Sequence, residues 1–176
     1  MIEADEFREK FLPLHPCLYR TAYVLLGNAQ DAEDMVQEAY LKLWNKRNEL
    51  EIRASNKAYC ITLVRNLCFN LMQTRQYQSE ESLPEYFDPC SDENIEQKAE
   101  ASDEEALLKQ LIDHLPTLQK EVLWLRDING CSFEEIEQAT GLTPVNIRVI
   151  LSRTRKKIRE RFNDITQTDN GNKTHR

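Results

Sequence analysis

The segment from Cys131 to Arg161 constrains the fold most, because it reads as two short helices joined by a tight turn. Ser132 and Glu135 have the spacing of a capping box, which predicts where the first helix begins. Gly141 is placed to end that helix, since the left-handed residue after a helix is usually glycine. Local signals therefore bracket a short helix immediately before a second one.

The second helix of this segment has one apolar face and one basic face. Thr143 can cap it, and Pro144 suits its first position, where no N–H is needed. The predicted buried face consists of Ile147, Ile150, Leu151, Thr154 and Ile158. The basic side consists of Arg148, Arg153, Arg155, Lys156, Lys157 and Arg159, with Ser152 among them. This layout is typical of a helix-turn-helix, whose second helix can enter a DNA major groove; a merely solvated basic face is the alternative.

The distribution of charge explains why an acidic chain can carry a DNA-binding helix. The net charge is −7 over 176 residues. Residues 148–161 nevertheless hold seven bases and one acid, whereas residues 80–105 hold eleven acids and one base. An acidic total limits non-specific binding to DNA, which depends on phosphate neutralisation. The acidic, proline-bearing stretch predicts a flexible linker between two domains.

The remaining composition favours an all-helical protein. Glycine and proline are few, and alternating strand patterns are hard to find. Further helices are predicted at 3–26 (interrupted at Pro13 and Pro16), 29–46, 56–75, 95–114 and 116–129. In the last of these, Leu118, Val122, Leu125 and Ile128 are predicted to face inward. The N-terminus lacks a signal-peptide core and no apolar run approaches about 18 residues, so we expect a cytoplasmic protein without membrane insertion.

Neither catalytic nor metal-binding motifs are found. The five cysteines include no Cys-x-x-Cys pair, and Cys60 and Cys68 fall in an apolar helical pattern, which predicts buried free thiols. There is no P-loop, no His-Glu-x-x-His and no nucleophile–base pair. We therefore predict that the chain is not an enzyme and needs no cofactor and no metal.

Two further helix faces carry unusual polar residues. Asp34, Gln37, Glu38 and Leu41 share one face of the helix at 29–46. A solvated acidic face explains three of them, while an exposed leucine favours a partner. Asn66 and Asn70 lie one turn apart beside Arg65. Because asparagine is a mediocre helix former, the pair predicts either a buried hydrogen bond or a ligand contact.

These pieces together resemble a bacterial sigma factor of the extracytoplasmic-function (ECF) group. The resemblance rests on DAEDMVQEAYLKLW at 31–44, on KAYCITLVRNLCFNLM at 57–72, and on the segment from 115 to 160 that contains the helix-turn-helix. It extends over residues 7–162, and the run NIRVILSRTRKKI is similar to sigma factors of the Bacteroides lineage.

The resemblance implies an all-α fold of two small helical domains joined by an acidic flexible linker. The implied divisions are a sigma region 2 bundle at 1–75, the linker at 76–102, a sigma region 4 helix-turn-helix at 103–165, and a disordered tail at 166–176. Region 2 would bind core RNA polymerase and recognise and melt the minus-10 promoter element. Region 4 would recognise the minus-35 element, and the acidic connection would follow the RNA channel of the polymerase.

Site residues follow from the same resemblance. The residues matching polymerase-contacting positions are Asp34, Gln37, Glu38 and Leu41. Those matching minus-10 positions are Tyr59, Arg65, Asn66 and Asn70. Those matching minus-35 positions are Asn146, Arg148, Val149, Ser152, Arg153 and Lys156. Tyr59 replaces the family's usual tryptophan, Asn70 a common aspartate, and Glu137 a small alanine where the two helices of the motif approach.

The implied partners are core RNA polymerase, promoter DNA and a membrane-linked anti-sigma factor. One alternative is a helix-turn-helix regulator that binds duplex DNA as a dimer without acting as a polymerase subunit. A second alternative is a helical adaptor that binds only proteins. The acidic linker and the face from Asp34 to Leu41 favour the sigma factor.

Overall fold

The computed structural model of the protein describes residues 2–52, 55–80 and 103–172, and every regular element in these ranges is helical. The helices are α1 (Ala4–Phe11), α2 (His15–Leu26), α3 (Ala29–Asn45), α4 (Asn56–Glu80), α5 (Asp103–Asp113), α6 (Thr117–Leu123), α7 (Phe133–Thr140) and α8 (Pro144–Asn172). A 3₁₀ turn at Leu12–Leu14 separates α1 from α2, and a π-helical turn at Trp124–Ile128 extends α6. The predicted all-α class is confirmed.

The predicted ends of α7 and the start of α8 are confirmed in atomic detail. The Ser132 hydroxyl accepts from the Glu135 N–H at 3.1 Å, and the Glu135 carboxylate accepts from the Ser132 N–H at 2.9 Å. Gly141 follows α7 with φ +76°. The Asn146 N–H donates to the Thr143 hydroxyl at 3.3 Å, so Thr143 caps α8.

The first four helices form an N-terminal bundle around one apolar core. Its largest fully buried side chains are Phe11, Leu18, Val36, Leu43, Ile61 and Val64. The helix α2 packs against both α3 and α4, which places α2 at the centre of the bundle. The predicted interruption near Pro13 and Pro16 is confirmed as the 3₁₀ turn before α2. The Asn28 side chain caps α3, accepting from the Asp31 N–H at 3.0 Å, a contact that the sequence analysis did not predict.

The last four helices form a second bundle that carries the helix-turn-helix. Its core includes Val122, Leu125, Ile136, Ile147, Leu151 and Ile158. Two residues predicted to face inward are exposed, Leu118 by 41% and Ile128 by 42%. Leu118 lies in the first turn of α6, where its side chain faces away from the bundle. Ile128 ends the π-helical turn, whose extra residue rotates it by about 100° from the predicted face.

Two predicted boundaries differ from the structure. Helix α4 continues to Glu80, into the segment predicted as linker, and residues 81–102 lie outside the described ranges. Helix α8 continues to Asn172, so residues 166–172 are helical rather than part of a disordered tail, and residues 173–176 lie outside the described ranges. The Thr166 and Thr168 hydroxyls donate to carbonyls one turn earlier, which keeps them compatible with the helix.

The two bundles pack against each other at a polar junction, formed where α7 crosses α4 and where α6 meets α2. Glu121 of α6 is 2% exposed and accepts two hydrogen bonds from the Arg65 guanidinium of α4. Lys57 donates to the Asn129 carbonyl at 2.6 Å, and Ser55 donates to the Glu135 carboxylate at 2.9 Å. These three pairings join a group on one bundle to a group on the other, which holds the bundles in one register.

Candidate functional site

The basic face of α8 is exposed along its whole length. All six residues matching the minus-35 positions have exposed side chains: Asn146, Arg148, Val149, Ser152, Arg153 and Lys156. Their positions occupy one contiguous side of the helix, opposite the core residues Ile147, Leu151 and Ile158. The structure therefore brings this set together on one exposed surface.

An aromatic ring supports the start of this surface. The Arg148 guanidinium lies over the Phe133 ring at 5.1 Å from its centroid, and that of Arg126 lies over the same ring at 4.5 Å. Stacking restricts the arginine and orients its donors. Phe133 was not singled out from the sequence, and its position directly after the Ser132 cap is the signal that could have found it.

One basic residue of α8 is held by an ion pair within the protein. Arg155 forms a bidentate ion pair with Asp127, with nitrogen–oxygen distances of 2.5 and 3.1 Å. The hydrogen bonds that Arg155 donates to Asp127 raise the pKa of this guanidinium above its ordinary value. Arg155 therefore ties α8 to the turn after α6, whereas Arg153 projects into solvent.

The helix-turn-helix accommodates Glu137 without disturbance. Its side chain is exposed, and the small buried residue of α7 is Ala139, which is 6% exposed. The Glu137 carbonyl accepts from the Gly141 N–H at 2.8 Å, as the helix end requires. The departure at position 137 therefore falls on the outer face of α7.

The acidic face of α3 forms a second exposed surface. Asp34, Gln37 and Leu41 are exposed, Leu41 by 62%, and Glu38 is half-buried. Spacings of three, four and seven residues place all four on one side of the helix. A leucine exposed to this extent, flanked by carboxylates, suits a partner with an apolar patch beside basic groups.

The minus-10 candidates of α4 divide between two faces. Tyr59, Asn66 and Asn70 are separated by seven and four residues, so they share one side of the helix. Tyr59 is half-buried and both asparagines are exposed. The alternative of a buried hydrogen bond between neighbouring helices is therefore wrong for Asn66 and Asn70, because α4 presents that face to solvent.

Arg65 lies apart from the other three, in the junction. Its guanidinium pairs with Glu121, donates to the Ala139 carbonyl at 3.4 Å and lies 4.6 Å from the centroid of the Phe69 ring. Each of its three guanidinium nitrogens is thus engaged within the protein. In this arrangement Arg65 cannot reach a ligand on the face that carries Asn66.

The described ranges contain no group of three or more histidine, cysteine or acidic side chains that could hold a metal ion. Over the same residues, no helix is both long and apolar enough to cross a membrane.

Each of the two bundles matches a known protein family. Residues 11–77 match the family described as Sigma-70 region 2, and residues 105–158 match Sigma-70, region 4. The two matches occur in the predicted order, and together they contain α2, α3, α6 and α7 entirely, most of α4 and α5, and the first half of α8.

Curated relatives are similar over most of the chain. The chain is 31% identical over 145 residues to the ECF RNA polymerase sigma factor SigE of Mycolicibacterium smegmatis, covering 81% of the chain and 56% of that protein. It is 28% identical over 154 residues to the ECF RNA polymerase sigma factor EcfG of Rhodopseudomonas palustris, covering 88% and 83%. The chain thus spans little more than half of the first relative and most of the second.

Two solved structures share the fold. The sigma factor RpoE from Bartonella quintana, in complex with the anti-sigma factor NepR, has a TM-score of 0.69 at 24% identity, covering 89% of this chain and 96% of that one. CnrH, in complex with the cytosolic domain of CnrY, has a TM-score of 0.64 at 17% identity, covering 92% and 90%. Both similarities extend over the two bundles.

Proposed function

Because this chain belongs to the ECF group of RNA polymerase sigma factors, we propose that it directs core RNA polymerase to specific promoters and initiates transcription there. The observation that carries the proposal is the pairing of region 2 and region 4 matches in one chain. In this proposal residues 1–75 form region 2, 76–102 the acidic linker and 103–165 region 4. The kinship with the Bacteroides lineage is part of the proposal and rests on the run NIRVILSRTRKKI alone.

The exposed face of α3 is the proposed contact with the polymerase. Asp34, Gln37 and Glu38 supply acceptors and an amide around Leu41, whose apolar side chain is 62% exposed. Burying this leucine against a partner removes apolar surface from water and contributes about 1.5 kcal/mol or more to binding. The surrounding polar groups then fix orientation and partner choice.

The proposed minus-10 site lies on the exposed face of α4. Asn66 and Asn70 present amides that can hydrogen-bond the edge of an unpaired base, and Tyr59 supplies an aromatic ring on the same side. Unstacking a base costs a few kcal/mol, which such contacts offset. Arg65 takes part only when it leaves Glu121, so its contribution requires the junction to open.

The proposed minus-35 reader is the exposed face of α8. Arg148, oriented by Phe133, lies in the N-terminal half of the recognition helix, where side chains reach base edges. Asn146, Val149, Ser152 and Arg153 extend the same surface, and Lys156 lies where phosphate contacts are expected. An arginine that pairs with guanine discriminates by about 1–3 kcal/mol against other bases.

The proposed partners are core RNA polymerase, promoter DNA and an anti-sigma factor, which fits a cytoplasmic location. Support for the last partner comes from RpoE and CnrH, each solved with a bound partner. The rival function, a dimeric regulator that binds duplex DNA without polymerase, is weakened by the region 2 match at 11–77.

Run-off transcription tests the proposed function. Purified core polymerase is assayed on pooled promoter fragments of the source genome, with and without the protein. We expect promoter-specific transcripts that disappear with Gln37→Ala/Glu38→Ala and persist with Glu9→Ala, an exposed acid on α1. Absence of transcripts, together with tight binding to duplex DNA alone, would contradict the sigma role and favour the dimeric regulator.

Salt titration of DNA binding tests the α8 surface separately. For the complex of protein, polymerase and promoter, Arg153→Ala should reduce the slope of log affinity against log salt by about 1 if Arg153 neutralises one phosphate. Arg148→Ala should remove the preference for one base: it should weaken binding to promoters that carry the preferred base more than binding to promoters altered at that position. Arg155→Ala is the matched control, because Arg155 is held by Asp127, and a larger effect there would contradict the assignment.

A further inference from the structure

The N-terminal bundle presents three cations to the second bundle at the junction. The Arg65 guanidinium of α4 donates to both carboxylate oxygens of Glu121, with its Nη2 at 3.3 Å from one of them. Lys57, in the first turn of α4, donates to the Asn129 carbonyl at 2.6 Å. Arg20 of α2 donates to the side-chain oxygen of the same Asn129 at 3.5 Å, which makes it a neighbour of Lys57. We call Arg20, Lys57 and Arg65 the cationic patch.

The second bundle covers the cationic patch with oxygen acceptors. The remaining guanidinium nitrogen of Arg65 donates to the Ala139 carbonyl at 3.4 Å. Two positions before Lys57, the Ser55 hydroxyl donates to the Glu135 carboxylate at 2.9 Å. The acceptors that meet this side of the N-terminal bundle are therefore two carboxylates, two backbone carbonyls and one amide oxygen. An array of oxygens carrying negative charge is also what the backbone of a nucleic acid offers.

The ion pair in this contact is withdrawn from solvent. The side chain of Arg65 is 17% exposed and that of Glu121 is 3% exposed. A guanidinium binds a carboxylate and a phosphate through the same two-pronged geometry, so Glu121 occupies the position that a phosphate group would take. Desolvation of two buried charges offsets most of their attraction, and apolar residues would hold the junction at least as well. The arginine is therefore better explained by a partner outside the packed molecule.

We propose that the cationic patch binds the phosphates of single-stranded promoter DNA, and that the second bundle masks it in the free protein by imitating the DNA backbone. The inference rests on the proposed function, because the patch adjoins the proposed minus-10 site on α4. Arg65 precedes Asn66 in the chain, and Lys57 lies two positions before Tyr59. Neighbouring residues of a helix point about 100° apart, so a strand whose base meets Asn66 passes its sugar–phosphate backbone over the adjacent side of α4. Arg20 and Lys57 are thereby added to the residues that contact promoter DNA.

Masking makes two binding events mutually exclusive. Glu121 and a DNA phosphate compete for the same guanidinium, so the free protein binds single strands weakly. When the second bundle leaves the junction, the three cations are released together and become available to the melted strand. The second bundle thus restrains a DNA-binding surface of the first until the protein is engaged at a promoter.

Binding of an oligothymidylate by the full-length protein, without polymerase, tests the mask. The probe is a fluorescein-labelled strand of about 20 nucleotides, and fluorescence anisotropy measures its affinity. Glu121→Gln removes the competing charge, and we expect it to bind the strand at least about tenfold more tightly than the parent, because losing one partner of a buried ion pair strongly weakens the packed form. Glu137→Gln is the matched control, since it makes the same change in charge on the outer face of α7 and should leave the affinity unchanged.

The salt dependence of the same binding identifies the cations. Each phosphate neutralised on a single strand contributes about 0.7 to the slope of log affinity against log salt, so the slope for Glu121→Gln should be steeper than that of the parent by about 2. Adding Arg20→Ala or Lys57→Ala to Glu121→Gln should each remove about 0.7 from the slope. The basic face of α8 is the same in all these variants, so its contribution cancels in the comparison.

Three results would overturn the proposal. The first is an affinity and a slope of Glu121→Gln equal to those of the parent. The second is a gain in affinity that persists when Arg20 and Lys57 are both replaced by alanine. The third is tighter binding of a labelled oligoglutamate of similar length without any gain for the DNA strand, which would assign the patch to an acidic protein. If circular dichroism shows that Glu121→Gln does not fold, Glu121→Asp replaces it: withdrawing the carboxylate by one methylene group should release Arg65 and give a smaller gain in the same direction.

Acetylation of lysines in the transcription complex tests the patch during initiation. We expect an N-hydroxysuccinimide ester to acetylate Lys57 in the complex of the protein with core polymerase, and most of this reactivity to be lost when promoter DNA is added. Lys10, exposed on α1, should react equally in both samples. A Lys57 that stays reactive in a complex that transcribes would overturn the DNA contact. If the protein neither binds core polymerase nor directs transcription, the sigma role fails, and the oligothymidylate measurement alone decides whether the patch binds nucleic acid.

Discussion

At the scale of single residues, one buried hydroxyl stands out as unsatisfied. Thr154 lies on the core face of α8 with 1% of its surface exposed, and its hydroxyl has no hydrogen-bond partner among the described residues. A buried polar group without a partner lowers stability by about 1–3 kcal/mol. The position is occupied by threonine even though the surrounding side chains are apolar.

Replacing this hydroxyl with a methyl group should stabilise the protein. Thr154→Val should raise the free energy of unfolding by about 1 kcal/mol, because the desolvated hydroxyl is removed at nearly constant volume. Urea denaturation measures the change. Thr140→Val is the matched control. The Thr140 hydroxyl donates to the Ile136 carbonyl at 2.7 Å, so its removal should lower the free energy of unfolding. Destabilisation by Thr154→Val would show that the hydroxyl is satisfied.

A surface ion pair on the N-terminal bundle lowers the pKa of one carboxyl group. Arg75 donates to both carboxylate oxygens of Asp31 at 2.5 and 2.9 Å, and these bonds lower the pKa of Asp31 below 3.8. A lowered pKa in the folded state means that the pair stabilises the protein above the unfolded pKa. That stabilisation is lost as the pH falls through the folded pKa.

Removing the arginine should return this carboxylate to its ordinary behaviour. Arg75→Ala should raise the pKa of Asp31 toward 3.8, measured from the carboxyl carbon shift in an NMR titration. Arg8→Ala removes another exposed partner, that of Asp5, and should leave Asp31 unchanged. An Asp31 pKa that stays low in Arg75→Ala would assign the shift to the N-terminus of α3 instead.

At the scale of elements, the ends of the helices follow from local sequence while some of their faces do not. The cap at Ser132 and the stop at Gly141 depend on residues within one turn, so the sequence predicts them. The π-helical turn after α6 depends on tertiary contacts and rotates Ile128 out of its predicted face. The basic surface of α8 could be predicted because the spacing of its apolar residues shows which side of the helix is buried, and therefore which side is exposed.

The capping box of α7 should be worth a measurable part of the stability. Ser132→Ala removes the acceptor for the Glu135 N–H and should lower the free energy of unfolding by about 1 kcal/mol. Thermal and urea unfolding of the variant check this value. Ser152→Ala, on the exposed side of α8, should change it little. Equal effects of the two substitutions would mean that the box contributes nothing beyond the loss of a hydroxyl.

At the scale of the whole molecule, the junction could not be predicted from the sequence. The resemblance predicts Arg65 as a minus-10 contact beside Asn66, yet Arg65 pairs with Glu121, 56 positions further along. Local periodicity carries no information about which distant carboxylate lies opposite an arginine. Breaking such a buried pair leaves an uncompensated charge and costs about 3–5 kcal/mol. The junction should therefore make the two bundles unfold as one unit.

The two tryptophans allow this cooperativity to be measured. Trp44 lies in the N-terminal bundle and Trp124 in the C-terminal one, so Trp124→Phe and Trp44→Phe each leave one bundle fluorescent. Their urea transitions should coincide, because the bundles share the junction. Adding Arg65→Ala to each should separate the two midpoints, whereas adding Arg153→Ala should not. Separate transitions in the parent variants would show that the bundles unfold independently.

The exposure of both α4 and α8 in the packed molecule has a quantitative consequence for the proposed function. The two promoter elements, by their names, lie about 25 base pairs apart, which is roughly 85 Å of B-form DNA, whereas a packed protein of about 150 residues is roughly 40 Å across. Either face can meet its element first, but simultaneous engagement draws only on the small fraction of molecules whose bundles have separated. The apparent dissociation constant is then the intrinsic one divided by that fraction. A substitution at Glu121 changes the fraction without touching either face. It should therefore change the amount of transcript from strong and weak promoters by one common factor, so that the ranking of the promoters stays the same.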